Sequence, residues 1–187
     1  MRTVFAAFFL WALAGSEALA QPVSVTPPET LEDVPRVSRS PDVLIRNVQL
    51  NDLRLLVDDL GGAFLAAGQN ETGAPFVFAR LPDGLTLGIY SVCADEAATD
   101  CRGVEFMAAF GSALSYEEVT AIDRSFSAVS VYKADRDTVH VSRYVILDQG
   151  ITWGNLIENA AVFDALCAKV ASRLAYGPPQ AAVTAPR

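Results

Sequence analysis

Histidine is almost absent from this sequence, because His140 is the single one among 187 residues. Proton transfer and zinc binding in proteins both rely heavily on histidine. No serine lies in a nucleophile-elbow pattern, and nothing places a nucleophile beside His140. The acidic pairs Asp58–Asp59 and Glu117–Glu118 are typical of solvent-facing helix surfaces. We therefore expect no catalytic residue, no metal and no cofactor, and a protein that is not an enzyme.

Positive charge is also scarce. The chain has 14 lysines and arginines against 22 acidic residues, a net charge of −8, and its basic residues form no cluster. Nucleic-acid binding depends on neutralising phosphates, and anionic membrane surfaces attract proteins in the same way. The composition therefore excludes nucleic acid and anionic membrane surfaces as expected partners.

The N-terminus has an apolar run, Val4–Ala14, that is shorter than the roughly 20 residues a membrane-spanning helix needs. A basic start precedes it, and the small residues of Ala18–Ala20 follow it, which is the pattern of a secretory signal peptide. We expect residues 1–20 to be this signal, the mature chain to begin at Gln21, and no membrane anchor to remain. The predicted location is periplasmic or secreted, in a bacterium.

Cysteine occurs three times. Export implies an oxidising compartment, where disulfides persist. Cys93 and Cys101 bracket one short connection between predicted strands and are the natural pair, worth roughly 2–3 kcal/mol by loop closure. Their spacing is not that of a redox C-x-x-C motif, and a zinc site would want four ligands. A redox role for the pair is the weaker alternative. Cys167 lies in an apolar helical stripe, where a buried, inert thiol is expected.

The loop between these cysteines is acidic, with Asp95, Glu96 and Asp100. Carboxylates are ligands that calcium prefers, but their spacing here matches no EF-hand loop. A solvated acidic hairpin tip is the favoured interpretation, and ion binding stays the alternative.

Proline content divides the chain into segments. Residues 21–47 carry five prolines and little apolar material, which predicts a flexible tether. Residues 48–177 have the apolar periodicity of one folded domain, and residues 178–187 are expected to form a disordered tail.

Periodicity within the domain alternates between helix and strand. The predicted elements are a helix at 52–60 capped by Asn51, strands at 63–67, 75–80, 85–92 and 103–110, a helix at 116–127 with a Ser115–Glu118 capping box, strands at 128–133 and 138–147, and a helix at 153–176 capped by Thr152. The last helix is apolar well beyond one stripe, so the sheet or a second copy of the chain should cover more than one of its sides.

Three segments carry a resemblance to a known family. They are LTLGIYSVC at Leu85–Cys93, DCRGVEF at Asp100–Phe106, and DQGIT at Asp148–Thr152. Together with the element order, they make the chain similar to the YbjN-like family of bacterial domains, described as candidate sensory transduction regulators. The resemblance implies an α+β fold of the type III secretion chaperone-like kind, α-β(3–4)-α-β(2)-α, with one antiparallel sheet packed by helices and often dimeric. It supplies no catalytic residues.

We therefore expect a non-enzymatic, chaperone-like or regulatory module that binds an unknown protein partner and forms a homodimer. The alternative is a small-ligand carrier or an uncharacterised enzyme with a pocket between the sheet and the last helix. Tyr90, Phe106 and Trp153 are the candidate lining of that pocket.

Overall fold

The computed structural model describes residues 38–95 and 97–176. The predicted signal peptide (1–20), residues 21–37 of the predicted tether, Glu96 and the predicted tail (178–187) lie outside the described residues. The elements in chain order are β1 Leu44–Ile45, α1 Leu50–Asp59, β2 Ala63–Gln69, β3 Pro75–Arg80, β4 Thr86–Cys93, β5 Cys101–Gly111, α2 Tyr116–Asp123, β6 Ser130–Lys133, β7 Thr138–Ile146, β8 Ile151–Thr152 and α3 Trp153–Tyr176.

Six of the strands form one antiparallel sheet in the order β2-β3-β4-β5-β7-β6, and the short β1 and β8 pair separately. The predicted α+β class and the single helix-packed sheet are confirmed. Neighbouring strands meet in register, with Val77 opposite Ile89 and Ile89 opposite Phe106. Because side chains alternate between faces along a strand, this register turns Val77, Ile89 and Phe106 to the same side.

That side carries the core. All three helices contribute buried residues to one cluster with the inward residues of the sheet. The Phe106 ring stacks on Phe163 of α3 with centroids 5.8 Å apart. The opposite side of α3 exposes Ala161, Ala165 and Ala168. Of the two predicted covers for the further sides of α3, the sheet does not reach this side within the described chain, and the second copy of the chain stays a prediction. No helix among the described residues is long and apolar enough to cross a membrane.

The helix starts show how local chemistry sets the boundaries. Ser115 accepts a hydrogen bond from the Glu118 amide and Glu118 accepts one from the Ser115 amide, so the predicted capping box of α2 is present. Thr152 accepts from the Asn155 amide at the start of α3. The start of α1 differs from the prediction, because the N-cap is Gln49 and not Asn51. The backbone amide of Gln49 donates to Asp52 Oδ2 at 2.7 Å.

Helix α2 ends at Asp123, four residues earlier than predicted. The Ser125 and Phe126 amides donate to the carbonyls of Ile122 and Asp123, three residues back, which tightens the chain into a turn. The Asp123 carboxylate then accepts the Val131 amide at 2.7 Å, which ties the helix end to β6.

The folded domain begins before residue 48, the predicted boundary, because residues 38–47 include a segment that packs on it. Ile45 is buried in the core, and the carbonyls of Val43 and Pro41 accept the amides of Trp153 and Gly154, each at 2.8 Å. The proline content predicted a tether here, but pairing with β8 and burial of Ile45 hold this stretch against the domain.

Candidate interaction surface

The face of the sheet opposite the helices, called the open face below, presents a band of aromatic side chains. One cross-strand row runs from Gly68 on β2 through Phe76, Tyr90 and Glu105 to Tyr144 on β7. The neighbouring rows hold Ala66, Phe78, Gly88, Met107 and Ser142 on one side and Val92, Gly103 and Ile146 on the other. His140 and Tyr132 lie further along β7 and β6.

The aromatic rings of this face pack on one another. The Phe76 ring lies 5.3 Å from those of Phe78 and Tyr90, and Phe78 meets Tyr90 edge-on at 6.2 Å. These separations fall in the range of favourable aromatic pairs. The cluster therefore holds its own rings in place without a covering helix.

Glycines beneath the rings let the rings lie directly against the strands. A Cβ atom added to Gly68 would lie 2.6 Å from the Phe76 ring, and one added to Gly88 would lie 2.4 Å from the Tyr90 ring. One added to Gly103 would lie 2.2 Å from the Tyr144 hydroxyl oxygen. Three rings thus rest directly on the backbone of a strand, which is a close approach that only glycine allows.

Exposure increases towards β7. Phe76 is 6% exposed, whereas Tyr132 is 41%, Tyr144 is 51% and Ile146 is 63% exposed. The most exposed of these residues therefore lie on β6 and β7, at one edge of the sheet.

Glu105 is a carboxylate at the centre of this aromatic face. It lies directly across from Tyr90 on one side and from Tyr144 on the other. Burial raises the pKa of Tyr90 and of Tyr132, and the nearby Glu105 charge raises both further. The three ion pairs found within the described ranges do not include Glu105. The open face therefore holds a negative charge that the described residues leave unpaired.

A groove of about 540 Å³ opens next to Glu105 where β6 begins at Ser130. Its lining is mostly polar: Glu105, Ser127, Ala128, Val129, Ser130, Ser142, Arg143 and Tyr144. Strand β6 pairs with β7 from Val139 to Ser142, so Arg143–Ile146 has no strand partner on that side within the described chain. The groove therefore adjoins a stretch of free strand edge.

The structure separates the three predicted pocket residues. Phe106 and Trp153 are fully buried, Phe106 against Phe163, and the Trp153 indole N–H donates to Asp59 Oδ2 at 2.6 Å. Tyr90 lies on the open face, because side chains alternate along β4 and its neighbours Ile89 and Ser91 are both buried. The predicted pocket between the sheet and α3 is therefore corrected: packed side chains fill the space where it was expected.

The cysteine predictions match the structure. The Sγ atoms of Cys93 and Cys101 lie 2.02 Å apart, at bonding distance. Cys167 is free and buried, and burial raises the pKa of its thiol to about 12. A thiol of that pKa is protonated at neutral pH and is a poor nucleophile.

The acidic loop is closed by its own hydrogen bonds. The Asp95 carboxylate accepts the amides of Thr99 and Asp100 and the Thr99 hydroxyl, and these bonds lower the pKa of Asp95. Asp100 pairs with Arg102 at 2.7 Å. No cluster of metal-binding side chains occurs in the described ranges, which omit Glu96.

Sequence reasoning missed Glu105, Tyr132 and Tyr144 as surface residues. A signal for them was present, since glycines inside strand patterns, such as Gly88 and Gly103, mark close approach to the backbone. The identity of the ring over each glycine required the register between strands, which the sequence does not state.

Comparison with known proteins agrees with this fold. No family model and no curated protein matches the chain. A solved structure described as E. coli YbjN, a candidate transcription regulator, is similar at a TM-score of 0.52, with 20% identity over 72% of this chain and 96% of that one. The predicted YbjN-like resemblance is thereby confirmed at the level of the fold, and identity this low carries nothing further.

Proposed function

We propose that the protein is an exported, non-enzymatic module that binds another polypeptide on the open face of its sheet. The observation that carries the proposal is the glycine-backed aromatic surface, which no helix covers in the described chain. Tyrosine, phenylalanine and methionine are enriched in protein interfaces, where rigid rings contribute much of the binding energy.

A polypeptide is favoured over a small ligand because of the shape of the surface. Small-molecule sites are concave and enclose most of their ligand. The band from Phe76 to Tyr144 crosses four strands of the sheet, β3, β4, β5 and β7, and ends at a free strand edge, which suits an extended segment. Export remains part of the proposal, supported by the signal pattern at residues 1–20 and by the Cys93–Cys101 bond.

Selection of binding peptides from a random displayed library against the full chain tests this proposal. Selected peptides should bind the unaltered chain and lose roughly tenfold or more in affinity for Tyr144→Ser, as interface tyrosines commonly do. Tyr176→Ser is the matched control, because Tyr176 is an exposed tyrosine at the far end of α3. Binding that Tyr176→Ser weakens as much as Tyr144→Ser, or a selection that yields no binder, would contradict the proposal.

A further inference from the structure

We propose that the partner segment lies along the free edge of β7 and places a lysine or arginine side chain on Glu105. This inference rests on the proposed function and names the chemistry of its partner. The site consists of the strand edge Arg143–Ile146, the groove beside it, and the Glu105 carboxylate with its neighbouring tyrosines.

The strand edge provides the main-chain contacts. Strand β7 extends four residues, Arg143–Ile146, beyond the pairing of Ser142 with Ser130, the first residue of β6. On their other side these four residues pair with β5. The chain before Ser130 bends at residues 127–129, which do not pair with β7 but line the groove, and the Arg143 guanidinium donates to the Ala128 carbonyl at 2.6 Å. A strand laid in the continuation of β6 would pair with the free edge, as in recognition by strand addition.

The charges of the groove select a cation. Arg143 is the basic residue of its lining, and its guanidinium is already bound to the Asn159 side chain at 2.6 Å and to Ala128. Glu105 is the acidic residue of the lining and takes part in none of the ion pairs of the described ranges. Arg143 is opposite Phe106, so its side chain lies on the helix side of the sheet, whereas Glu105 is opposite Tyr144 and lies on the open face. A segment bound on the open face therefore meets the Glu105 carboxylate.

The tyrosines strengthen this preference. A cation gains from contact with the face of an aromatic ring, especially where water is partly excluded. Tyr90 and Tyr144 flank Glu105 across the sheet, and the Tyr132 phenol lies near enough for the Glu105 charge to raise its pKa. A lysine or arginine side chain that enters the groove from the β7 edge therefore meets a carboxylate between aromatic rings.

Two peptides that differ at one position test the inference. The first is Ac-TVTVKVTVT-amide, which favours an extended strand and carries a central lysine. The second replaces that lysine by norleucine, which keeps the aliphatic chain and removes the charge. NMR titration of the isotope-labelled full chain should show shifts at Arg143–Ile146 for both peptides. The lysine peptide should bind roughly tenfold more tightly, as expected for one ion pair with a tyrosine contact.

Glu105→Gln should abolish the difference between the peptides, while Glu117→Gln, an exposed glutamate on α2, should retain it. The difference should also shrink as ionic strength rises, which gives a readout independent of any variant. Equal binding of the two peptides, or a lysine preference that survives in Glu105→Gln, would overturn the cation site and leave the proposed function standing. Absence of any shift on the open face with either peptide would overturn both.

Discussion

Replacement of Gly103 by alanine should dislodge the Tyr144 ring from the sheet. The new Cβ would lie 2.2 Å from the Tyr144 hydroxyl oxygen and 2.6 Å from Cζ. Carbon atoms in contact are about 3.5–4.0 Å apart, so the ring must move by about 1 Å or more. Gly111, on the same strand, is the matched control, because a Cβ added there meets nothing within 4 Å.

Two opposing effects set the change in the free energy of unfolding of Gly103→Ala. Alanine restricts the unfolded chain and stabilises by about 0.4–1 kcal/mol wherever the native backbone accepts it. Neither Gly103 nor Gly111 has a positive φ, so both backbones accept alanine. At Gly103 the displaced ring also leaves its rotamer well, at a cost of about 0.5–1.5 kcal/mol. We therefore expect Gly111→Ala to stabilise the fold and Gly103→Ala to have about 1 kcal/mol less free energy of unfolding than Gly111→Ala.

Urea unfolding followed by circular dichroism measures this difference, and a double-mutant cycle assigns its cause. In a Tyr144→Ala background no ring remains to be displaced, so Gly103→Ala should become stabilising. The coupling between the two positions should then be at least about 0.5 kcal/mol, as for residues in contact. Equal stability of Gly103→Ala and Gly111→Ala, or additive effects in the cycle, would refute the placement of the ring on Gly103.

Three further outcomes are expected. Serine at both Cys93 and Cys101 should lower the free energy of unfolding by about 2.5 kcal/mol, the loop-closure value for a separation of 8 residues, and an unchanged urea midpoint would contradict this. Cys167 should resist thiol reagents in the native chain and react once urea unfolds it; rapid native labelling would disprove its burial. Burial raises the pKa of Asp164, and Asp83 raises it further. Because the pKa of Asp164 is higher in the folded chain than in the unfolded chain, the free energy of unfolding falls as the pH rises from the unfolded pKa through the folded pKa. Asparagine carries no charge at any pH, so Asp164→Asn should stabilise the fold at neutral pH but not in acid.

Local signals in the sequence account for much of the fold. Helix α3 has the predicted limits, Trp153 and Tyr176, because a capping threonine precedes a long apolar periodicity. Strand β3 has the predicted limits, Pro75 and Arg80. Strand β1 was missed, because two residues that pair with Ile151–Thr152 more than a hundred positions later leave no local pattern. The composition around it predicted a tether, and only the distant partner reveals a strand.

Prediction of the candidate surface required the pairing register between neighbouring strands. Leu87 and Ile89 are two residues apart on β4 and share the core face of the sheet. Tyr90 is the next residue, so strand alternation could have indicated that it faces away from the core. Its placement in a pocket with Phe106 failed because Phe106 is opposite Ile89, and Tyr90 is opposite Glu105. The irregularity between Val92 and Cys93 shifts that register, so counting from the disulfide would give the wrong partner.

The rings that lie on Gly68, Gly88 and Gly103 have a consequence for the thermodynamics of association. A side chain that packs directly on a glycine backbone has few rotamers in the free protein, so it loses little conformational entropy when a partner binds. The entropic cost of ordering these side chains on binding is therefore small. Flexible lysines or glutamates in the same places would each lose about 0.5–1.5 kcal/mol on immobilisation. In the proposed interaction, these three glycines would therefore favour binding without contacting the partner themselves.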